Sequence, residues 1–129
     1  MDTQLLGTRL RNARHLRGMT MEEVGDRLGL NKSTIQRYEA GRIGRPKMPM
    51  LMAMAEVLEV NVDWLIGKDE ALATADGDQE VALYLRRLEE NPALRRFMKT
   101  VSNADVEELE ALNDFISQLI ENSRARGEE

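Results

Sequence analysis

The order of apolar and polar positions predicts a chain of α-helices. Apolar residues recur at every third or fourth position, as on one face of a helix, and no segment shows the alternation of a strand. Leu6, Leu10 and Ala13 mark a first helix over about residues 4–17, which Gly18 ends. The same spacing predicts seven further helices, at about residues 21–28, 32–40, 49–58, 62–66, 79–90, 92–101 and 103–123. Asn91 is the predicted cap of the helix at 92–101, and Ser102 or Asn103 that of the last helix.

Capping and turn residues place two of these helices side by side in one short unit, residues 20–41. Thr20 and Glu23 have the spacing of a capping box, which opens the first helix. Gly29 stands where a residue with positive φ lets the chain leave that helix. Asn31 then stands at the N-cap of the second helix. These signals predict a helix, a three-residue turn and a second helix.

The second helix of this unit has an apolar inner face, with Ile35 and Tyr38, and a polar outer face. The outer face consists of Lys32, Ser33, Gln36 and Arg37. Gly25, in the middle of the preceding helix, costs about 0.5–1 kcal/mol relative to alanine, so a tiny residue there indicates that the second helix crosses closely. A short, partly cationic helix held on a compact platform fits the major groove of DNA.

The segment from Leu6 to Gly67 resembles the Cro/cI-type (XRE) helix-turn-helix domain of phage and mobile-element repressors. The resemblance rests on the stretches RLRNARHLRGMTMEEVGDRLGL, NKSTIQRYEAGR, GRPKMPMLMAMAEVL and VNVDWLIG. It implies an all-α fold in which a five-helix, lambda-repressor-like bundle binds DNA as a dimer. The chain departs from the family at Met21, where a glutamine that hydrogen-bonds a phosphate is usual. The side chain of methionine has no hydrogen-bond donor, so it cannot make that phosphate contact in the same way.

The residues expected to read bases lie on the outer face of the second helix. Its first turn, with Lys32 and Ser33, is the end that enters the groove, and Arg37 lies one turn further along the same side. Arginine can hold the O6 and N7 atoms of guanine with two hydrogen bonds, and lysine can make a similar contact. Gln36 is a further candidate, and Thr34 is a candidate for either a base or a phosphate contact.

Phosphate contacts are expected from helix N-termini and from the loop after the second helix. In the resembling repressors, the loop equivalent to residues 42–47 lies along the DNA backbone. The complete expected set is Thr20, Met21, Asn31, Thr34, Arg42, Arg45 and Lys47. The resemblance also implies a structural ion pair between Arg14 and Glu39, which would prevent the Glu39 carboxylate from repelling phosphates.

The C-terminal half predicts a second helical unit. We expect a DNA-binding domain over residues 1–67, a linker over 68–78, a three-helix dimerisation or regulatory domain over 79–124 and a frayed tail over 125–129. Apolar residues of the last helix are spaced by three and four, as in a coiled coil. Part of this stripe should pack on the two preceding helices, because three helices of this size form one small core, and the rest either pairs two copies of the chain or is covered in that core. The residues expected in a dimer contact are Leu109, Leu112, Phe115, Ile116 and Leu119.

Composition and charge restrict the function further. The net charge of the 129 residues is −5, but residues 1–47 hold ten Lys and Arg against five Asp and Glu, so the positive charge accompanies the helix pair. No cysteine and one histidine predict no metal site, no cofactor and no enzyme. No signal peptide opens the chain, and its longest apolar run, Met48–Ala55, is too short to cross a bilayer. We therefore expect no membrane association and a cytoplasmic protein, nucleoid-associated when bound to DNA.

These patterns together predict a sequence-specific regulator that binds double-stranded DNA. The resemblance favours a repressor that binds a palindromic operator as a homodimer, with a regulatory protein partner, a protease or a toxin, for the C-terminal half. Two alternatives stay open at this point. One is an antitoxin-type autoregulator whose C-terminal half binds a toxin. The other is a helix-turn-helix module used for protein–protein interaction.

Overall fold

The computed structural model describes residues 1–68 and 79–127, and all regular structure in those ranges is α-helical, as predicted. The predicted linker, except Lys68, and the last two residues of the predicted tail lie outside the described residues. The eight helices are α1 Thr3–Leu16, α2 Met21–Leu28, α3 Lys32–Glu39, α4 Met48–Leu58, α5 Val62–Leu65, α6 Gln79–Glu90, α7 Pro92–Val101 and α8 Val106–Gly127. None of these helices is long and apolar enough to span a membrane.

The first five helices enclose one apolar core. Leu6 and Leu10 of α1 meet Leu51 and Leu58 of α4 and Leu65 of α5, and all five side chains are at most 4% exposed. Burying a leucine side chain contributes roughly 1.5–3 kcal/mol, so this cluster is a main source of stability. It fixes the platform on which α2 and α3 rest.

The ends of the helices follow local hydrogen-bonding chemistry. The Asp2 carboxylate accepts hydrogen bonds from the amides of Gln4 and Leu5, both at 3.0 Å, and so begins α1. The Asn91 side chain accepts from the amide of Leu94 at 3.0 Å, which confirms the predicted cap of α7. Gly18, with a φ of 66°, follows the end of α1 in the left-handed region.

The start and end predicted for α8 are wrong. Asp105, rather than Ser102 or Asn103, caps it, because its carboxylate accepts from the Glu108 amide at 2.8 Å. This backbone hydrogen bond holds the pKa of Asp105 below its usual value. The helix then continues to Gly127, beyond the predicted end at Ser123, and so includes part of the predicted frayed tail.

The expectation that α6, α7 and α8 form one small core is also wrong. Leu85 of α6 is 1% exposed and belongs to the same apolar cluster as Leu10 of α1. Arg9 of α1 donates to Glu89 of α6 at 2.7 Å, and its guanidinium lies 4.8 Å from the centre of the Trp64 ring. The apolar face of α6 is therefore buried against α1 and is unavailable to α8.

As a result, α8 presents its apolar stripe to solvent. None of its residues is buried, and Leu109, Phe115 and Leu119 are 40%, 64% and 52% exposed. Leu112 and Ile116 are half-buried. The division into domains at 1–67, 68–78 and 79–124, and the role of the last as a dimerisation or regulatory domain, stay predictions.

Candidate nucleic-acid interface

The helix pair α2 and α3 is held by its own caps and turn. The Glu23 amide donates to the Thr20 hydroxyl at 3.1 Å, and the Thr20 amide donates to the Glu23 carboxylate at 3.3 Å, which completes the predicted capping box. Gly29 has a φ of 69° and ends α2 in the left-handed region. Asn31 stands at the N-cap of α3, but its side chain forms no capping hydrogen bond there.

Two glycines allow close approaches between backbone segments, one within the α2–α3 pair and one between this pair and α1. A Cβ at Gly25 would lie 2.5 Å from the carbonyl oxygen of Leu30, so only glycine lets the turn fold back on α2. The close approach predicted at Gly25 is therefore present, and the nearest atom belongs to the turn and not to α3. A Cβ at Gly7 would collide with the carbonyl oxygens of Tyr38 and Glu39, so α1 and the end of α3 touch there.

The end of α3 is fixed to α1 by a buried ion pair. Arg14 donates through Nε to Oε2 of Glu39 at 2.6 Å and through Nη2 to Oε1 at 2.8 Å, and both side chains are at most 8% exposed. The third nitrogen of Arg14 donates to the carbonyl oxygen of Met19 at 3.0 Å. Arg11 lies 3.6 Å from the same carboxylate. Glu39 is thus neutralised inside the protein and adds no unpaired negative charge to the surface.

The outer face of α3 is exposed and carries charges that are not engaged elsewhere. Ile35 is buried and Tyr38 is half-buried, which aims the opposite side of the helix at solvent. The exposed side chains on that side are Lys32, Ser33, Gln36 and Arg37. Among residues 1–68 and 79–127, no carboxylate forms an ion pair with Lys32 or Arg37. These groups are free to meet an external partner.

The residues expected to contact phosphates lie around this helix. Arg42, Arg45 and Lys47 are exposed in the segment between α3 and α4, and none forms an ion pair within the described part of the chain. Met21 begins α2 and is half-buried, as is Thr34 on α3. The remaining two residues of the set, exposed Thr20 and Asn31, stand at the N-caps of α2 and α3.

Sequence reasoning missed the groove that α7 forms with α1 beside this face. His15 and Asn12 of α1 line it together with Lys99 of α7. Burial and then the neighbouring Arg14 guanidinium lower the pKa of His15, which favours the neutral form of its imidazole. A signal was present in the sequence, because α7 carries three cations within five residues. No group of side chains in the described ranges could hold a metal ion.

Comparison with known proteins gives the family. A family described as "Helix-turn-helix domain" matches residues 5–64. The transcriptional repressor RstR of the cryptic phage CTXphi in Vibrio cholerae is 30% identical over 82 residues, which cover 64% of this chain and 69% of RstR. The chain belongs to the XRE-type helix-turn-helix transcriptional regulators.

Further relatives of this XRE-type chain come from mobile elements. The regulator for conjugative element R391 of Providencia rettgeri is 31% identical over 90 residues, which cover 70% of this chain and 37% of that longer protein. Among solved structures, the SinR protein/SinI protein complex contains a chain with 17% identity and a TM-score of 0.47, over 90% of this chain and 98% of that one.

Proposed function

We propose that this XRE-type regulator is a repressor that binds a palindromic operator in double-stranded DNA as a homodimer. One observation carries the proposal, namely the exposed outer face of α3, whose Lys32 and Arg37 form no ion pair with a carboxylate of residues 1–68 or 79–127 while Glu39 is neutralised by Arg14. A polar, cationic helix without competing charge suits a groove lined with hydrogen-bonding base edges and phosphates. The mobile-element repressor RstR among its relatives supports repression.

The side chains of α3 would read the base sequence, and cations and backbone amides beside α3 would supply much of the affinity by binding phosphates. Arg37 would hold guanine through O6 and N7, with Lys32 and Ser33 in the first turn of the helix and Gln36 beside them. Arg42, Arg45 and Lys47 would neutralise phosphates, as would the amides at Met21 and Asn31. Binding should therefore weaken steeply with salt. In this role the chain needs no cofactor, performs no catalysis and acts in the cytoplasm.

The test of base reading is Arg37→Ala. The operator of the unmodified protein is first located by footprinting fragments of the source genome. On that operator the variant should lose about 1–3 kcal/mol, roughly 5- to 150-fold in affinity, and keep its affinity for unrelated DNA. Arg27→Ala, which removes an exposed cation of α2 outside the proposed face, is the matched control. Equal losses on both DNAs would remove Arg37 from the readers, and an unmodified chain that binds no DNA would refute the function.

The exposed face of α8 is the proposed dimer contact, through Leu109, Leu112, Phe115, Ile116 and Leu119. A single helix-turn-helix unit reads half a site, and two half-sites about 34 Å apart require two units related by symmetry. The 22 residues of α8 span about 33 Å, which is long enough for a stable helix pair. No residue of this face is fully buried within the described chain, so a second copy can cover its exposed side chains without rearranging the core.

Phe115→Asp tests this contact. The side chain is 64% exposed within one chain, so the change should leave the fold intact, which circular dichroism checks. The variant should sediment as a monomer and lose DNA affinity together with bivalency. Ser117→Asp adds the same charge at an exposed polar position of the same helix and should stay dimeric. A Phe115→Asp protein that sediments as a dimer would place the interface elsewhere.

The exposed α8 face also favours a second candidate, an interaction of the C-terminal half with another protein such as a toxin or a protease. An antitoxin-type autoregulator would combine this interaction with DNA binding, whereas a pure interaction module would bind its partner without DNA. Sedimentation separates these cases, because the homodimer forms from the purified chain alone. A purified chain that stays monomeric at all concentrations and binds its operator would favour the antitoxin-type function.

A further inference from the structure

A second basic surface lies outside the face of α3, in a groove between α1 and α7. Two adjoining cavities form it, of about 420 Å³ and about 220 Å³, and three residues, Arg11, His15 and Lys99, line both. One end of the groove reaches Met21 and Gln36. The other end is lined by Asn12, Pro92, Arg95 and Arg96. We call this surface the α1–α7 groove.

The charges in the α1–α7 groove are almost entirely positive. Lys99 and Arg96 are exposed and form no ion pair within residues 1–68 and 79–127. Glu39 is the one carboxylate among the lining residues, and Arg14 already holds both of its oxygens. Arg11, whose side chain is 48% exposed, lies at a longer 3.6 Å from that carboxylate and so keeps much of its charge available.

The uncharged groups in the groove include a hydrogen-bond donor that lacks an acceptor. Asn12 is 2% exposed, and its side-chain nitrogen is buried without a hydrogen-bond partner among the described residues. A buried donor left unpaired is unfavourable, so an acceptor supplied by a ligand would be bound favourably there. The cations also act on His15, since Arg14, Arg11 and Lys99 each lower its pKa, after burial as the first cause. A positive groove with an unpaired donor matches an anion that accepts several hydrogen bonds.

The position of the groove indicates which anion it binds. Met21 and Gln36, at one end of the groove, belong to the surface that would face DNA, and Lys99, Ser102 and Asn103 line the same cavity. We propose that the α1–α7 groove binds phosphates of the DNA backbone next to the half-site read by α3, through Lys99, Arg96 and Asn12. This proposal rests on the proposed DNA-binding function, to which it adds α7 as a third source of phosphate contacts.

The test compares the salt dependence of DNA binding in full-length variants. Lys99→Ala and Arg96→Ala should each reduce the slope of log K against log salt by about 0.9 per monomer, since each removes one phosphate contact. Both should weaken binding to all sequences alike. They should also lose the affinity that the unmodified chain gains when the DNA is lengthened beyond the half-sites. Arg86→Ala, an exposed cation of α6 that lines neither cavity, should behave as the unmodified chain.

Three outcomes would overturn this assignment. The first is an unchanged salt slope for both variants while the unmodified chain binds DNA, which leaves the proposed function intact. The second is a gain in affinity, because α7 would then obstruct DNA. The third is a shift of the Asn12 side-chain amide resonance on titration with inorganic phosphate but an unchanged slope, because the groove would then bind a small free anion. A failure of the unmodified chain to bind any DNA would refute the proposed function itself.

Discussion

The bundle of α1–α6 and the helix α8 show opposite outcomes of the same sequence pattern. Both carry apolar residues at helical spacing, yet Leu51 and Leu65 in the bundle are 0% exposed whereas Phe115 in α8 is 64% exposed. An apolar stripe predicts that a helix face needs a partner, and its spacing contains no information about where that partner comes from. In the bundle it comes from the same chain, whereas no residue of α8 is buried within the described part of the chain.

The difference between the two regions lies in the features that fix helices against one another. The bundle has a close backbone approach at Gly7 and Gly25 and a buried link from Arg14 to Glu39. Along α8, the side-chain hydrogen bonds among the described residues are local, such as that from Gln118 to Asn122. Apolar spacing defines a face, and specific close contacts decide what it packs against.

The largest effect should come from breaking the buried link of the bundle. Glu39→Ala leaves the Arg14 guanidinium buried without its carboxylate, and we expect a loss of about 3–5 kcal/mol in the free energy of unfolding. Urea denaturation followed by circular dichroism measures it. Lys68→Ala, which removes the exposed Lys68–Asp63 pair at 3.5 Å, is the control and should cost at most about 1 kcal/mol. Similar losses in the two variants would show that the buried pair adds no particular stability.

A matched pair of leucines tests the comparison itself. Leu51→Ala removes a fully buried side chain and should cost about 2–5 kcal/mol, since it leaves a cavity in the core. Leu119→Ala removes a side chain that is 52% exposed, and should change the stability of the monomer by about 0.5 kcal/mol or less. Both are measured by urea unfolding at protein concentrations low enough for monomers. A cost of several kcal/mol for Leu119→Ala there would mean that α8 is packed within one chain.

The local part of the fold could be predicted from the sequence because it depends on neighbouring residues. The capping box at Thr20 and the Asn91 cap each need a side chain within three residues of the amide that it binds, and the exit at Gly29 needs only the positive φ that glycine allows. The capping role of Asp105 was missed, because Ser102 and Asn103 are equally good caps nearby.

The long-range part of the fold and site could not be predicted in this way. The contact of Leu85 with the α1 core and the groove between Asn12 and Lys99 join residues about 75–90 positions apart, so periodicity does not specify them. The exposed face of α3 could be predicted, because Ile35 and Tyr38 determine which side of that short helix points inward. Base contacts are made with a second molecule, the DNA, so the contacts within the chain do not specify which side chains of this face bind bases.

The smallest of these effects concerns the turn that sets α3 against α2. Gly25→Ala introduces a Cβ that would lie 2.5 Å from the Leu30 carbonyl oxygen, a backbone atom that cannot rotate away. Alanine favours helices by about 0.5–1 kcal/mol over glycine, so a stabilised variant would be expected if the site had room. We expect the collision to prevail, with a net loss of about 1–3 kcal/mol in the free energy of unfolding and weaker operator binding as the turn shifts α3. Gly44→Ala, where no atom lies within 4 Å of the new Cβ and φ is not positive, is the matched control and should leave stability nearly unchanged. A Gly25→Ala protein at least as stable as the unmodified chain would contradict the close approach between α2 and the turn.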